Sequence, residues 1–157
     1  AARAQLAKVV QRKPNGPAAA QLLATALWKD GAATEAVRVL RDAVQRTPND
    51  ERLLKALAWM LATAPDAELR NGAEAVQLAE RALQVAGRPS TSLLNTLAAA
   101  LAEAGQFDRA VEVCTQAIAG ARAAGQTETV TELEARLRLY QQRQPYHEAR
   151  ATNGGER

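Results

Sequence analysis

The chain holds one histidine and one cysteine, the residue types that most often carry acid–base or nucleophilic chemistry. Either side chain needs an activating partner beside it to act in catalysis. His147 lies in a polar stretch near the C-terminal end, where we expect a solvated side chain. Cys114 falls at an apolar position of a helical pattern, which predicts a small buried hydrophobic residue. Neither residue is therefore a good candidate for a catalytic site.

Other patterns that carry chemistry are equally scarce. The sequence has no metal-ligand cluster and no glycine-rich phosphate loop, so we expect no enzyme activity, no cofactor and no metal. Its 20 basic and 17 acidic residues are interspersed, which argues against a nucleic-acid partner. No apolar stretch approaches the roughly 18 residues of a membrane span, so direct membrane insertion is not expected. We expect a soluble domain, and the compartment stays open between cytoplasm and periplasm.

Any binding residues must be positioned by secondary structure, and a repeated apolar pattern predicts what that structure is. Apolar residues make up 47% of the 157 residues but aromatics only 3%, so the core must be built from Ala and Leu. One nine-residue pattern begins at Ala36, again at Ala75 and again at Ala110. A second pattern, with Leu, Ala and Leu at helical spacing, precedes each copy. Two helices that recur every few dozen residues predict a solenoid.

Helical periodicity predicts an all-α chain of about eight helices. Their expected ranges are 2–13, 17–29, 33–46, 50–63, 73–86, 91–104, 107–124 and 127–143. Pro17 suits the first position of a helix, and Asp50 suits a cap that accepts free backbone N–H groups. The first helix of each pair carries an apolar stripe at i, i+3, i+4 and i+7. The stripes are Ala20, Leu23, Ala24 and Leu27; Leu54, Leu57, Ala58 and Leu61; and Leu94, Leu97, Ala98 and Leu101.

These residues resemble the tetratricopeptide repeat family, whose unit is a helix pair of about 34 residues. Ala24, Ala36 and Ala43 fall where the family places small residues, and Pro48 closes the unit. The resemblance implies a right-handed superhelical solenoid of antiparallel helix pairs that binds other proteins. The predicted organisation is a single domain over 1–144 followed by a tail. Its parts are a half repeat (1–16), repeat one (17–50), an expanded repeat two (51–89), repeat three (90–125), a C-terminal capping helix (126–144) and the tail (145–157).

Two segments depart from the regular unit. Residues 63–72 form an insertion within repeat two, with Leu69 as its one large apolar side chain, and we expect Leu69 to hold it in place. Such an expanded repeat resembles those of bacterial tetratricopeptide proteins. In the capping helix, acidic residues precede basic ones, which predicts i, i+4 pairs Glu132–Arg136 and Glu134–Arg138.

The resemblance also implies where a partner binds, because the family lines its concave face with the first helix of each pair. The stripe beside the core stripe should point into that groove. In the three first helices its polar and aromatic members are Gln21, Thr25 and Trp28; Arg52, Lys55 and Trp59; and Ser92 and Asn95. Tryptophan offers contact area and an N–H donor, and Lys and Asn can bond carboxylate or backbone groups. The alternative is that Trp28 and Trp59 fill space between neighbouring first helices.

A second surface competes with the groove. Residues 1–13 look like the second helix of a pair whose first helix is absent, which would leave Leu6, Val9 and Val10 partnered on one side only. The leading hypothesis is a non-enzymatic scaffold that binds a partner peptide or helix in its groove. The second hypothesis is an accessory subunit, or the C-terminal region, of a larger and membrane-attached bacterial assembly that docks through this N-terminal end.

Overall fold

The computed structural model describes residues 16–150, and within them the chain forms seven α-helices and no strand. The helices are α1 (Pro17–Lys29), α2 (Ala33–Arg46), α3 (Glu51–Thr63), α4 (Gly72–Ala86), α5 (Thr91–Glu103), α6 (Phe107–Ala123) and α7 (Thr127–Gln141). Each begins and ends within two residues of its predicted range. The eighth predicted helix, 2–13, lies outside the described residues. The predicted all-α fold is confirmed.

The helices stack as a solenoid. Every helix packs against the next along the chain, and the first helices α1, α3 and α5 also pack on one another in that order. This arrangement of helix pairs is the one predicted from the repeated pattern. The first helices form one continuous layer, and α7 packs on α6 as the last helix described.

The core is made of alanine and leucine, as the composition predicts. Eleven of the twelve stripe residues of α1, α3 and α5 are buried, and Leu94 alone is partly buried. Burying a leucine side chain is worth about 1.5–3 kcal/mol. The alanines of the stripe are almost fully excluded from solvent, and Ala24, Ala58 and Ala98 are each 0% exposed. Small side chains at these points allow neighbouring helices to approach closely.

Helix ends follow local chemistry. Pro17 begins α1, and the Asp50 carboxylate accepts the backbone N–H groups of Arg52 and Leu53, as predicted. Asn71 caps the start of α4, directly after the insertion, by accepting the N–H of Glu74 at 3.1 Å.

The insertion of repeat two folds back onto the end of α3. Arg70 donates from Nη1 to the carbonyl oxygens of Ala64 (2.8 Å) and Pro65 (3.2 Å), and from Nε to Glu103 (3.0 Å). Leu69 is only partly buried, so the polar contacts of Arg70 hold the insertion more directly than the apolar anchor that we predicted. Gly72 permits a close approach here, because a Cβ on it would lie 2.5 Å from the backbone N of Ala104.

The charged residues of α7 pair differently from the prediction. Glu134 accepts a hydrogen bond from Arg122 of α6 at 2.5 Å, and Arg136 donates to Asn95 of α5 at 3.1 Å. Both contacts join α7 to a neighbouring helix, whereas the expected i, i+4 pairs would have lain along α7 itself. Contacts between helices satisfy these groups and fix the position of α7 on the stack.

Candidate partner-binding groove

Trp28 and Trp59 lie on neighbouring first helices, near the C-terminal ends of α1 and α3, and Trp59 stands about one turn earlier in its helix than Trp28 does. The α-helical period sets both side chains beside the core stripe. Both rings are partly buried and rest on the hydrophobic core. Their indole N–H groups point to a common place in the layer of first helices, because both reach the same residue.

That residue is Glu148, which comes from the segment after the last helix. Residues 145–150, which we call the C-terminal segment, have no helical structure and lie along the first helices. The Glu148 carboxylate accepts a hydrogen bond from Trp28 Nε1 at 2.5 Å and from Trp59 Nε1 at 3.0 Å. One bond goes to each carboxylate oxygen. The Glu148 N–H also donates to the carbonyl oxygen of Thr63 at 2.8 Å, at the end of α3.

A tight turn sends the C-terminal segment back over the helices. Arg143 has φ +58°, a left-handed conformation that side chains other than glycine rarely adopt. The N–H of Gln144 bonds the carbonyl oxygen of Leu139 at 2.9 Å, and the N–H of Arg143 bonds that of Tyr140 at 3.0 Å. This pair of bonds is a Schellman ending of α7, and Pro145 follows it and prevents the helix from continuing.

Tyr146 forms the second contact of the segment with the groove. Its ring lies 5.9 Å from the Trp59 ring, centroid to centroid, at an angle of 40°. The Arg136 guanidinium lies over both rings, 4.4 Å from the Tyr146 centroid and 5.2 Å from that of Trp59. Because Arg136 also bonds Asn95, it joins the ring cluster to α5. Cation–π contacts of this kind are worth about 0.5–2 kcal/mol, depending on exposure.

The exposed residues of the segment pair with the end of α5 and with the insertion. His147 Nε2 lies 2.6 Å from Glu103 Oε2, and the other oxygen of that carboxylate accepts from Arg70. Arg150 bonds Asp66 of the insertion at 2.8 Å. The predicted polar tail is therefore in contact with the fold up to Arg150, and His147 has a carboxylate partner where we expected solvent.

The other predicted groove residues differ in how closely they approach the ring cluster, which consists of Trp59, Tyr146 and Arg136. Asn95 joins it through Arg136, and Lys55 is partly buried on α3. Arg52 pairs with Asp50 at the start of its own helix. Thr25 is exposed and donates to the carbonyl oxygen of Gln21 within α1. Ser92 and Asn95 line a cleft of about 480 Å³ between α5 and α7, beside the ring cluster.

The N-terminal surface cannot be compared with the groove in the same way. Leu6, Val9 and Val10 lie outside the described residues, and the docking role of these side chains stays a prediction. Among the described residues, the start of α1 and the end of α2 line a cavity of about 160 Å³, formed by Gly16, Pro17, Ala20, Ala43, Arg46 and Thr47.

Cys114 and Tyr140 are buried between α6 and α7. The Cys114 thiol lies 3.5 Å from the carbonyl oxygen of Leu133, and burial raises its pKa to about 11. Burial also raises the pKa of Tyr140 well above its ordinary value. The Tyr140 hydroxyl has no hydrogen-bond partner among residues 16–150. Over the same residues, no group of three potential ligands could hold a metal ion.

A comparison with known families agrees with this geometry. A model of the tetratricopeptide repeat family matches residues 1–60. Over that part, the chain is similar to tetratricopeptide repeats. Such repeats mediate protein–protein interactions, and the family is typically non-catalytic. No curated protein and no solved structure matches the chain. Among the described residues, no helix is both long and apolar enough to cross a membrane.

The sequence pattern placed Trp28 and Trp59 beside the core stripe but did not indicate the contacts of Tyr146, Glu148 and Arg136 with them. A weak signal was present. The chain has 2 Trp, 2 Tyr and 1 Phe, and one of these few rings stands in an otherwise polar stretch directly after Pro145. In a chain with so few aromatics, an isolated tyrosine beyond the last helix marks a segment that packs on the fold.

Proposed function

We propose that this chain is a non-enzymatic protein-interaction scaffold whose concave groove binds an extended segment of a partner protein. The observation that carries the proposal is the Glu148 carboxylate, held between the indole N–H groups of Trp28 and Trp59. A peptide segment without helical structure thus fits against the first helices through the two tryptophans that the repeat pattern assigns to this surface.

The physical character of the groove supports peptide binding. Its donors and rings are fixed on helices that pack into a common core, so little ordering is needed when a ligand arrives. Tryptophan contributes both contact area and an N–H donor. The cleft between α5 and α7 extends the groove beyond the C-terminal segment, and its polar lining includes Ser92 and Asn95.

A selection from linear peptides displayed on phage, with the full chain as bait, tests this function. We expect selected peptides to bind the wild-type chain and to lose about tenfold or more in affinity on Trp28→Ala, as central aromatic contacts often do. The matched control is Arg38→Ala, because Arg38 is exposed on α2, a second helix. Fluorescence polarisation measures each dissociation constant.

Either of two results would contradict binding in the groove. If Arg38→Ala weakened the peptides as much as Trp28→Ala, or if Trp28→Ala left binding unchanged while circular dichroism showed intact helices, the groove would not be the binding surface.

A further inference from the structure

The site that holds the C-terminal segment has a definite ligand chemistry. We infer that it is selective for an aromatic residue followed two positions later by a carboxylate, that the partner carries this pattern, and that residues 145–150 of the chain are a built-in competitor for it. The inference rests on the proposed function and adds to it the kind of segment that the groove recognises.

The first argument is the donor set at Glu148. Both side-chain groups that reach the carboxylate are indole N–H groups, which can donate but cannot accept. A carboxylate offers an acceptor to each donor. An amide of the same shape offers one oxygen and turns an NH₂ group toward the other indole, so the pair of donors discriminates against glutamine.

The second argument is spacing. Tyr146 contacts Trp59, Glu148 contacts both tryptophans, and both residues are partly buried. His147 between them is exposed and pairs with Glu103 at the end of α5. Alternation of this kind is the period of an extended chain. The Glu148 N–H bonds the Thr63 carbonyl oxygen at the end of α3, which fixes the register of the segment along the groove. The pattern is therefore aromatic, any residue, acid.

The third argument is that the segment can be displaced. Tyr146 and Glu148 remain partly exposed, and the residues on either side of Glu148 are exposed. Polar contacts open to water are individually weak. The segment nevertheless competes strongly, because a short tether gives it an effective concentration in the millimolar range. A partner with the same pattern binds once its concentration exceeds this effective concentration, or once further contacts in the cleft between α5 and α7 raise its affinity.

The experiment uses the full chain with the segment disabled by Tyr146→Ala and Glu148→Ala together, which we call the open chain. The probe is a fluorescent peptide of residues 144–150 (QPYHEAR). Two matched probes carry glutamine in place of the acid (QPYHQAR) or alanine in place of tyrosine (QPAHEAR). We expect the first probe to bind the open chain about tenfold or more tightly than it binds the wild-type chain, because the tethered segment no longer competes.

Selectivity is read from the matched probes. We expect both to bind the open chain about tenfold or more weakly than QPYHEAR, because each lacks one of the two side-chain contacts. If QPYHQAR bound as tightly as QPYHEAR, selection for a carboxylate would be wrong while groove binding stood. If no probe bound the open chain, but phage-selected peptides still depended on Trp28, the inference would fail and the proposed function would survive.

A second measurement covers the case in which the double variant unfolds. The chain has 2 Trp, so its ¹⁵N-correlated spectrum contains a small set of indole N–H signals. The single change Glu148→Gln keeps the shape of the side chain and should shift both signals, and QPYHEAR should then move them back toward their wild-type positions. Unshifted indole signals in Glu148→Gln would overturn the inference.

Oligomeric state provides the last outcome. We expect the wild-type chain to be monomeric by light scattering, with its own segment in its own groove. A dimer that Glu148→Gln dissociates would mean that the groove is occupied by the segment of a second copy, which would overturn the assignment of residues 145–150 as an internal competitor.

Discussion

The two sides of α3 are held by different kinds of interaction. One side carries Leu54, Leu57, Ala58 and Leu61, which are at most 2% exposed and contact other helices of the core. The other side carries Trp59, which is partly buried and contacts Glu148, Tyr146 and Arg136. The first side maintains the fold through area removed from water. The second side recognises a segment through a few directed contacts, so changes on the two sides should have separable effects.

The largest expected effect is on the core side. Leu57→Ala should reduce the free energy of unfolding by about 2–5 kcal/mol, because it leaves a cavity among helices that cannot fully collapse. Leu57 is 2% exposed in the layer of first helices. Denaturant titration followed by circular dichroism measures the loss. A change below about 1 kcal/mol would mean that the two sides of α3 do not differ as described.

Gly72→Ala tests the approach of backbones that brings the insertion to the end of α5. The added Cβ would lie 2.5 Å from the backbone N of Ala104, so the helices must move apart. We expect a loss of about 1–3 kcal/mol, as for other overpacked sites. Thermal melting measures it. Gly72 is not among the glycines with positive φ, so backbone strain does not add to the loss. A melting temperature equal to that of the wild type would contradict the close approach as a constraint.

Trp28→Phe tests the corresponding side of α1, where Trp28 contacts the C-terminal segment. It keeps an aromatic ring but removes the N–H that donates to Glu148. We expect about 1 kcal/mol less stability, or about a fivefold weaker hold on the C-terminal segment, since a partly exposed bond to a charged group is lost. Helix content should not change. Hydrogen exchange of the Glu148 amide, which bonds the Thr63 carbonyl oxygen, reports release of the segment, and an unchanged exchange rate would contradict the role of Trp28.

The smallest effect concerns Cys114. Its pKa is raised to about 11 by burial, so the thiolate is disfavoured in the folded chain. Iodoacetamide at pH 8 should therefore react far more slowly with the native chain than with the chain in urea. Because the folded state holds this proton more tightly, the ionisation of Cys114 leaves stability unchanged at neutral pH and lowers it as pH rises from about 9 toward about 11. Labelling at equal rates in both states would show that Cys114 is accessible.

The fold could be predicted from sequence to a far greater extent than the C-terminal segment could. Helix bounds and core stripes follow from a short period that repeats three times, as in α3, where Leu54, Leu57, Ala58 and Leu61 are all buried. The same phase pointed to Trp28 and Trp59. Glu148, however, lies 120 residues from Trp28 and 89 from Trp59 along the chain. A segment without periodicity gives no signal for contacts at such separations, because these contacts depend on the completed stack.

The bond between Glu148 and Trp28 also has a mechanical consequence. In a solenoid each repeat touches its neighbours alone, so strain at one end stays near that end. Here the C-terminal segment connects the region beyond the last helix to the first helix described. A pulling force applied after residue 150 acts on the contacts of this segment before it acts on any helix pair. We therefore expect the segment to detach first, one contact at a time, while the stacked helices stay folded.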